Sequence, residues 1–95
     1  MSAEAVFDAE RPWTLAPSVA LRPEPFGALA YHFGTRRLSF LKTTALVQVV
    51  ERLAQEPSAR EAIRASHVNQ AEVPAYEQAL ARLAASGMIV PREET

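Results

Sequence analysis

The chain has 95 residues, 48% of them hydrophobic and 22% charged, which suits one globular domain and not a disordered polymer. Ten Lys and Arg against eleven Asp and Glu leave a formal net charge of −1, so the basic excess expected of a nucleic-acid binder is missing. The absence of cysteine excludes a disulfide scaffold, thiol catalysis, cysteine-ligated zinc and iron–sulfur clusters.

In chain order, Met1 to Glu10 carries three acids and no base, unlike a secretory signal. No apolar run approaches the ~20 residues that span a bilayer. The expected location is cytoplasmic, with no membrane partner. Pro12, Pro17, Pro23 and Pro25 then crowd one stretch. Proline locks φ and removes a ladder donor, so this stretch is not helical. Trp13 with Leu15, and Val19 with Leu21, alternate as short edge strands do. From Ala28 to Phe33, Leu29, Tyr31 and Phe33 share one face, and Ala28, Ala30 and His32 the other. Gly34 and Thr35 read as a hairpin turn, with glycine supplying positive φ. Arg37 to Leu41 is the returning strand, with Leu38 and Phe40 on one face.

After Leu41 the period changes. Leu46, Val49, Val50 and Leu53 have the spacing of an amphipathic helix, with Thr43 or Thr44 as its N-cap. Ser58-Ala59-Arg60-Glu61 is a capping box opening a second helix, in which Ser and Glu each satisfy an orphan amide. Its apolar face, Ala59, Ala62, Ile63 and Ser66, is small. Val73, Tyr76, Leu80 and Leu83 define a third helix, with Pro74 in its first turn and Gly87 as its left-handed stop. Met88 to Val90 extend briefly. Strands followed by helices predict an α+β domain: a three-stranded antiparallel sheet followed by a three-helix bundle, winged helix-turn-helix-like. Residues 1–12 form an extension, 13–91 the domain and 92–95 a polar tail.

Catalytic sets are missing. His32 and His67 have no metal-ligand spacing and read as structural or surface residues. The glycines stand alone at Gly27, Gly34 and Gly87, so no phosphate-binding loop exists. Glu51 with Glu56, and Glu93 with Glu94, sit where carboxylates are solvated. No enzyme activity, cofactor or metal is expected. The alternative of a small winged-helix DNA-binding regulator meets a third helix holding one base, Arg82, one acid, Glu77, and only Gln78 to reach a base edge. Arg36 and Arg37 would be wing contacts at best, and a solvated hairpin tip otherwise.

An edge strand, however, offers free amides and carbonyls to an extended peptide. The strand from Arg37 to Leu41 is apolar beside two cations, and the third helix carries Ala75, Ala79 and Arg82 next to its core stripe. The plainer reading packs those alanines on another helix. By spacing, Tyr76, Leu80 and Leu83 are core; Phe40 reads as core before ligand contact, and Trp13 as structural, anchoring the first strand or covering the sheet.

The runs Leu15-Ala16-Pro17-Ser18-Val19-Ala20-Leu21-Arg22-Pro23 and Tyr31-His32-Phe33-Gly34-Thr35-Arg36-Arg37-Leu38-Ser39-Phe40-Leu41-Lys42 resemble the mycofactocin precursor-peptide chaperones. These are a branch of the PqqD-like family of recognition elements for ribosomally made, modified peptides. Ala84-Ala85-Ser86-Gly87-Met88-Ile89 resembles the close of the family's last helix. The resemblance covers residues 13 to 91. The Tyr31–Leu41 run is specific to the mycofactocin branch, whereas the helical half is degenerate, and Met1 to Pro12 lies outside the pattern.

The resemblance implies that the leader of a precursor peptide adds to the third strand and lies against the third helix. On this chain the site would be Arg37, Leu38, Ser39, Phe40 and Leu41 with Ala75, Tyr76, Ala79, Arg82 and Leu83. Arg37 and Arg82 would meet acidic leader side chains. Proline at Ser39 would weaken binding if that amide faces the peptide. The resemblance also implies a radical S-adenosylmethionine maturase as second partner, which performs the chemistry. An unfilled edge strand also permits a homodimer.

Overall fold

A computed structural model describes residues 6–92, so residues 1–5 of the expected extension and 93–95 of the expected tail lie outside the described residues. The alternating segments form strands β1 (Trp13–Leu15), β2 (Val19–Glu24), β3 (Gly27–His32) and β4 (Leu38–Leu41). The segments of helical period form α1 (Thr44–Arg52), α2 (Ala59–Ala65) and α3 (Val73–Ala85), and β5 (Ile89–Pro91) closes the fold. The architecture is α+β, with a three-stranded antiparallel sheet in the order β2-β3-β4 and three helices.

The first strand departs from the single sheet expected. β1 pairs antiparallel with β5, placing Thr14 opposite Val90. Hydrogen bonds from Ala16 N–H to Met88 C=O and from Arg92 N–H to Pro12 C=O flank this ribbon. Trp13, buried on the ribbon, donates its indole N–H to the Asp8 carbonyl and packs against Phe7 with ring centres 5.1 Å apart and planes tilted by 40°. The residues before β1 also finish α2. Its first amides, Ala59 and Arg60, donate to the carbonyls of Arg11 and Ala9, which satisfies donors that a helix start leaves orphaned.

The capping box of α2 forms only in half. Ser58 Oγ accepts from the Glu61 amide, but the Glu61 carboxylate pairs with Arg64 at 3.0 Å. Arg60 instead bridges Glu10 and Glu77. Thr43 caps α1 by accepting from the Leu46 amide. Pro74 takes the first turn of α3. Gly87, at φ 77°, closes α3 in a Schellman arrangement, with Met88 N–H donating to Leu83 C=O and Gly87 N–H to Ala84 C=O.

The core lies between the helices and one face of the sheet. Leu46, Val49, Val50 and Leu53 of the first helical stretch, Ala59, Ala62 and Ile63 of α2, and Leu80 of α3 are all buried. On β3 the buried face is the one carrying Ala28 and Ala30, with α1 packed over it. Small side chains here let the helix approach the sheet closely. Gly27 is fixed by the neighbouring strand, because a Cβ there would collide with the Leu41 carbonyl at the end of β4. The larger side chains Leu29 and Tyr31 face away from the helices and are half-buried.

Candidate functional site

A groove of ≈ 640 Å³ runs between β4 and α3. Leu38, Ser39 and Phe40 form its strand wall, and Ala75, Tyr76, Ala79, Arg82 and Leu83 its helix wall. The small stripe of α3 therefore lines open space and is not packed on another helix. Two expected site residues stand elsewhere. Leu41 is 1% exposed and belongs to the core opposite Ala28, so its side chain cannot reach a ligand. Arg37 is exposed on the hairpin side of β4, outside the groove lining. The sequence reading missed Lys42, Thr43, Leu46, Glu72 and Ser86, which also line the groove. Leu46 lies in the i, i+3, i+4 stripe that marks core, and periodicity does not say that one rim of a core stripe borders a groove.

Strand register decides which backbone groups are free. β3 and β4 pair with Ala30 opposite Ser39 and Tyr31 opposite Leu38, and His32 N–H donates to Arg37 C=O. In an antiparallel ladder bonded pairs alternate with non-bonded pairs, so Arg37, Ser39 and Leu41 point their amides and carbonyls at β3. Those of Leu38 and Phe40 point out to the open edge. Phe33 N–H donates to Ser18 C=O on the β2 side, which fixes the same alternation independently. The Ser39 amide is thus committed to the fold, and proline there breaks the sheet and not the site.

The opposite edge is blunted. Val19, Leu21 and Pro23 are the β2 residues whose backbone faces outward. Val19 N–H is taken by the Ala16 carbonyl, and Pro23 has no N–H. Proline at an outward edge position costs the sheet nothing and denies a further strand its partner.

Leu38 and Phe40 stand on the outer face of the sheet and are 56% and 60% exposed, so Phe40 is not a core residue. Their hairpin is longer than a Gly-Thr turn. Phe33 to Arg36 form the loop, Arg36 carries the positive φ at 62°, and its amide bonds back to the His32 carbonyl. His32 Nδ1 accepts from the amides of Gly34 and Thr35 at 3.0 and 3.2 Å, which gives this histidine a structural task. Lys42 and Arg82 border the groove with Glu72, a cationic excess, and neither cation enters an ion pair among the described residues.

No cluster of His, Cys, Asp or Glu among the described residues could hold a metal. The groove instead offers free backbone groups, apolar walls and two cations, which is equipment for holding an extended chain. The profile of the peptide chaperone MftB family matches residues 12–90. This chain belongs to that family. It is 53% identical over 89 residues to "Peptide chaperone MftB" of Mycobacterium tuberculosis, covering 94% of this chain and 82% of that protein. The protein of the same name in Mycobacterium ulcerans is 54% identical over 87 residues, 92% of this chain and 80% of its own length. That of Mycolicibacterium smegmatis is 50% identical over 88 residues, 93% and 86%. No solved structure matches the chain. The family and these relatives carry the name of a peptide chaperone, which supports a non-catalytic peptide-binding role over that of a DNA regulator.

Proposed function

We propose that this chain is a non-catalytic chaperone that captures the leader region of the mycofactocin precursor peptide in the cytoplasm and presents it to a radical S-adenosylmethionine maturase. The observation that carries the reading is the open edge of β4, where the free amides and carbonyls of Leu38 and Phe40 adjoin the groove against α3. An extended peptide adds there as a fourth strand. Backbone bonds supply affinity, and the walls supply selection. Lys42 and Arg82 favour a leader with acidic side chains at the groove, and Arg37 one at the hairpin end. The names of the relatives support peptide binding. The chain has no cysteine for a cluster, so the chemistry falls to the partner. A second copy could use the same edge, so homodimer and peptide would compete.

An amide-shift titration with the precursor tests this. The expected result is saturable change at Leu38, Phe40 and Lys42 and along the groove side of α3. Changes confined to β2, α2 or the β1–β5 ribbon would remove the site from β4.

A further inference from the structure

The outward face of the sheet is apolar on two of its three strands, while β2 turns out Ala20 and the Arg22–Glu24 ion pair. An antiparallel sheet with one face on the core normally turns polar side chains to water. Here β3 and β4 turn out Leu29, Tyr31, Leu38 and Phe40. Two loop residues extend the patch. Phe26 meets Phe40 edge-on at 5.9 Å, and Phe33 meets Tyr31 at 5.5 Å. Phe26 and Phe33 remain 42% and 59% exposed. The patch adjoins the open edge at β4 and lies away from the blunted edge at β2. Leu38 and Phe40 join the two regions. They supply the free amides, line the groove and carry the patch.

We infer that the leader is read on both of its faces, with the side chains opposite Leu38 and Phe40 packing on this outer patch while the one between them enters the groove. The inference rests on strand addition to β4. Residues directly opposite in a sheet share a face, with Cβ atoms ~5 Å apart. A peptide residue beside Leu38 or Phe40 must therefore lie outward, and the residue beside Ser39 must lie inward, whichever way the peptide runs. The inward position meets Leu46, Leu83 and the space left by Ala79. The outward positions meet Leu38 and Phe40, backed by Phe26. The recognised segment is thus a run of at least three consecutive apolar residues. Acidic residues flank it where Lys42 and Arg82 can reach. An amphipathic strand, apolar on one face only, would leave either the groove or the patch uncovered.

A double-mutant cycle with the leader region of the mycofactocin precursor tests this. Intermolecular NOEs first locate the peptide residues opposite Leu38 and Phe40, which are expected to be apolar. The variant Leu38→Thr/Phe40→Thr keeps strand propensity while removing the patch at the edge. Affinity is expected to fall at least tenfold for this variant with the natural leader. It should fall as far for the intact chaperone with serine at the two located peptide positions, an arm that needs no altered protein. Combining the two changes should add less than threefold. Polar residues at the located positions, undiminished binding by the variant, or fully additive losses would each overturn the two-faced reading. So would a peptide-free dimer that the variant abolishes while binding peptide normally, since the patch would then belong to a second copy. A complete failure of the natural leader to bind is a different result, because it overturns strand addition itself.

Discussion

At single residues, backbone conformation and hydrogen-bond acceptance set the local outcome. Gly87 was legible, because a helix stripe that ends at Leu83 with glycine shortly after calls for a left-handed stop. A Cβ there would meet nothing within 4 Å, so Gly87→Ala isolates the conformational cost. We expect a loss of about 1–2 kcal/mol, read as a lowered urea midpoint at unchanged slope. The hairpin was read less well. Its positive φ falls on Arg36 and not on Gly34, because His32 Nδ1 gathers the Gly34 and Thr35 amides and draws out a four-residue loop. That bond joins a strand's last side chain to the next turn, and no spacing rule announces it. His67 likewise holds φ 59° after α2, and His67→Gly should raise stability by about 0.5–1 kcal/mol in the same urea measurement.

At the scale of the element, register governs function. Alternation showed that Leu38 and Phe40 share a face, and apolar character suggested the core for Phe40. Pairing with β3 turned that face outward, because α1 needs the small face of Ala28 and Ala30 to pack closely. The same register separates two proline variants. Ser39→Pro should cost several kcal/mol and lower the thermal midpoint sharply, since it strikes the ladder to Ala30. Phe40→Pro should leave the fold standing and weaken peptide binding more than Phe40→Ala does, as calorimetry with the leader can show. On α3, Arg82→Glu should reduce affinity for an acidic leader several-fold at low salt, with the difference shrinking as salt rises and the urea midpoint unmoved. Equal affinity of the two proteins at low salt would take Arg82 out of the site.

At the scale of the molecule, the two ends of the described chain are tied together. β1 pairs with β5, the residues before β1 close the start of α2, and Trp13 is buried on that ribbon. A domain of this size has a net stability of about 5–14 kcal/mol. Trp13→Ala should remove about 3–5 kcal/mol of it, so the variant should melt at a much lower temperature and bind leader weakly for want of folded protein.

The sequence by itself determined the balance of charge, the absent catalytic sets, the three helices with the stop of the third, and the strands of the hairpin. Each of these depends on neighbours within a turn or two, where local physics dominates. The resemblance of the Tyr31–Leu41 run also indicated the family. Only the tertiary structure decided that β1 leaves the main sheet for β5. It also decided that Leu41 faces the core while Leu38 and Phe40 face out, that Lys42 and Leu46 border the groove, and that the edge at β2 is blunted while that at β4 is open. Those facts depend on which hydrogen bonds are already taken and on how closely one helix can approach a sheet. Both are settled by contacts between segments far apart in sequence, which no local pattern encodes.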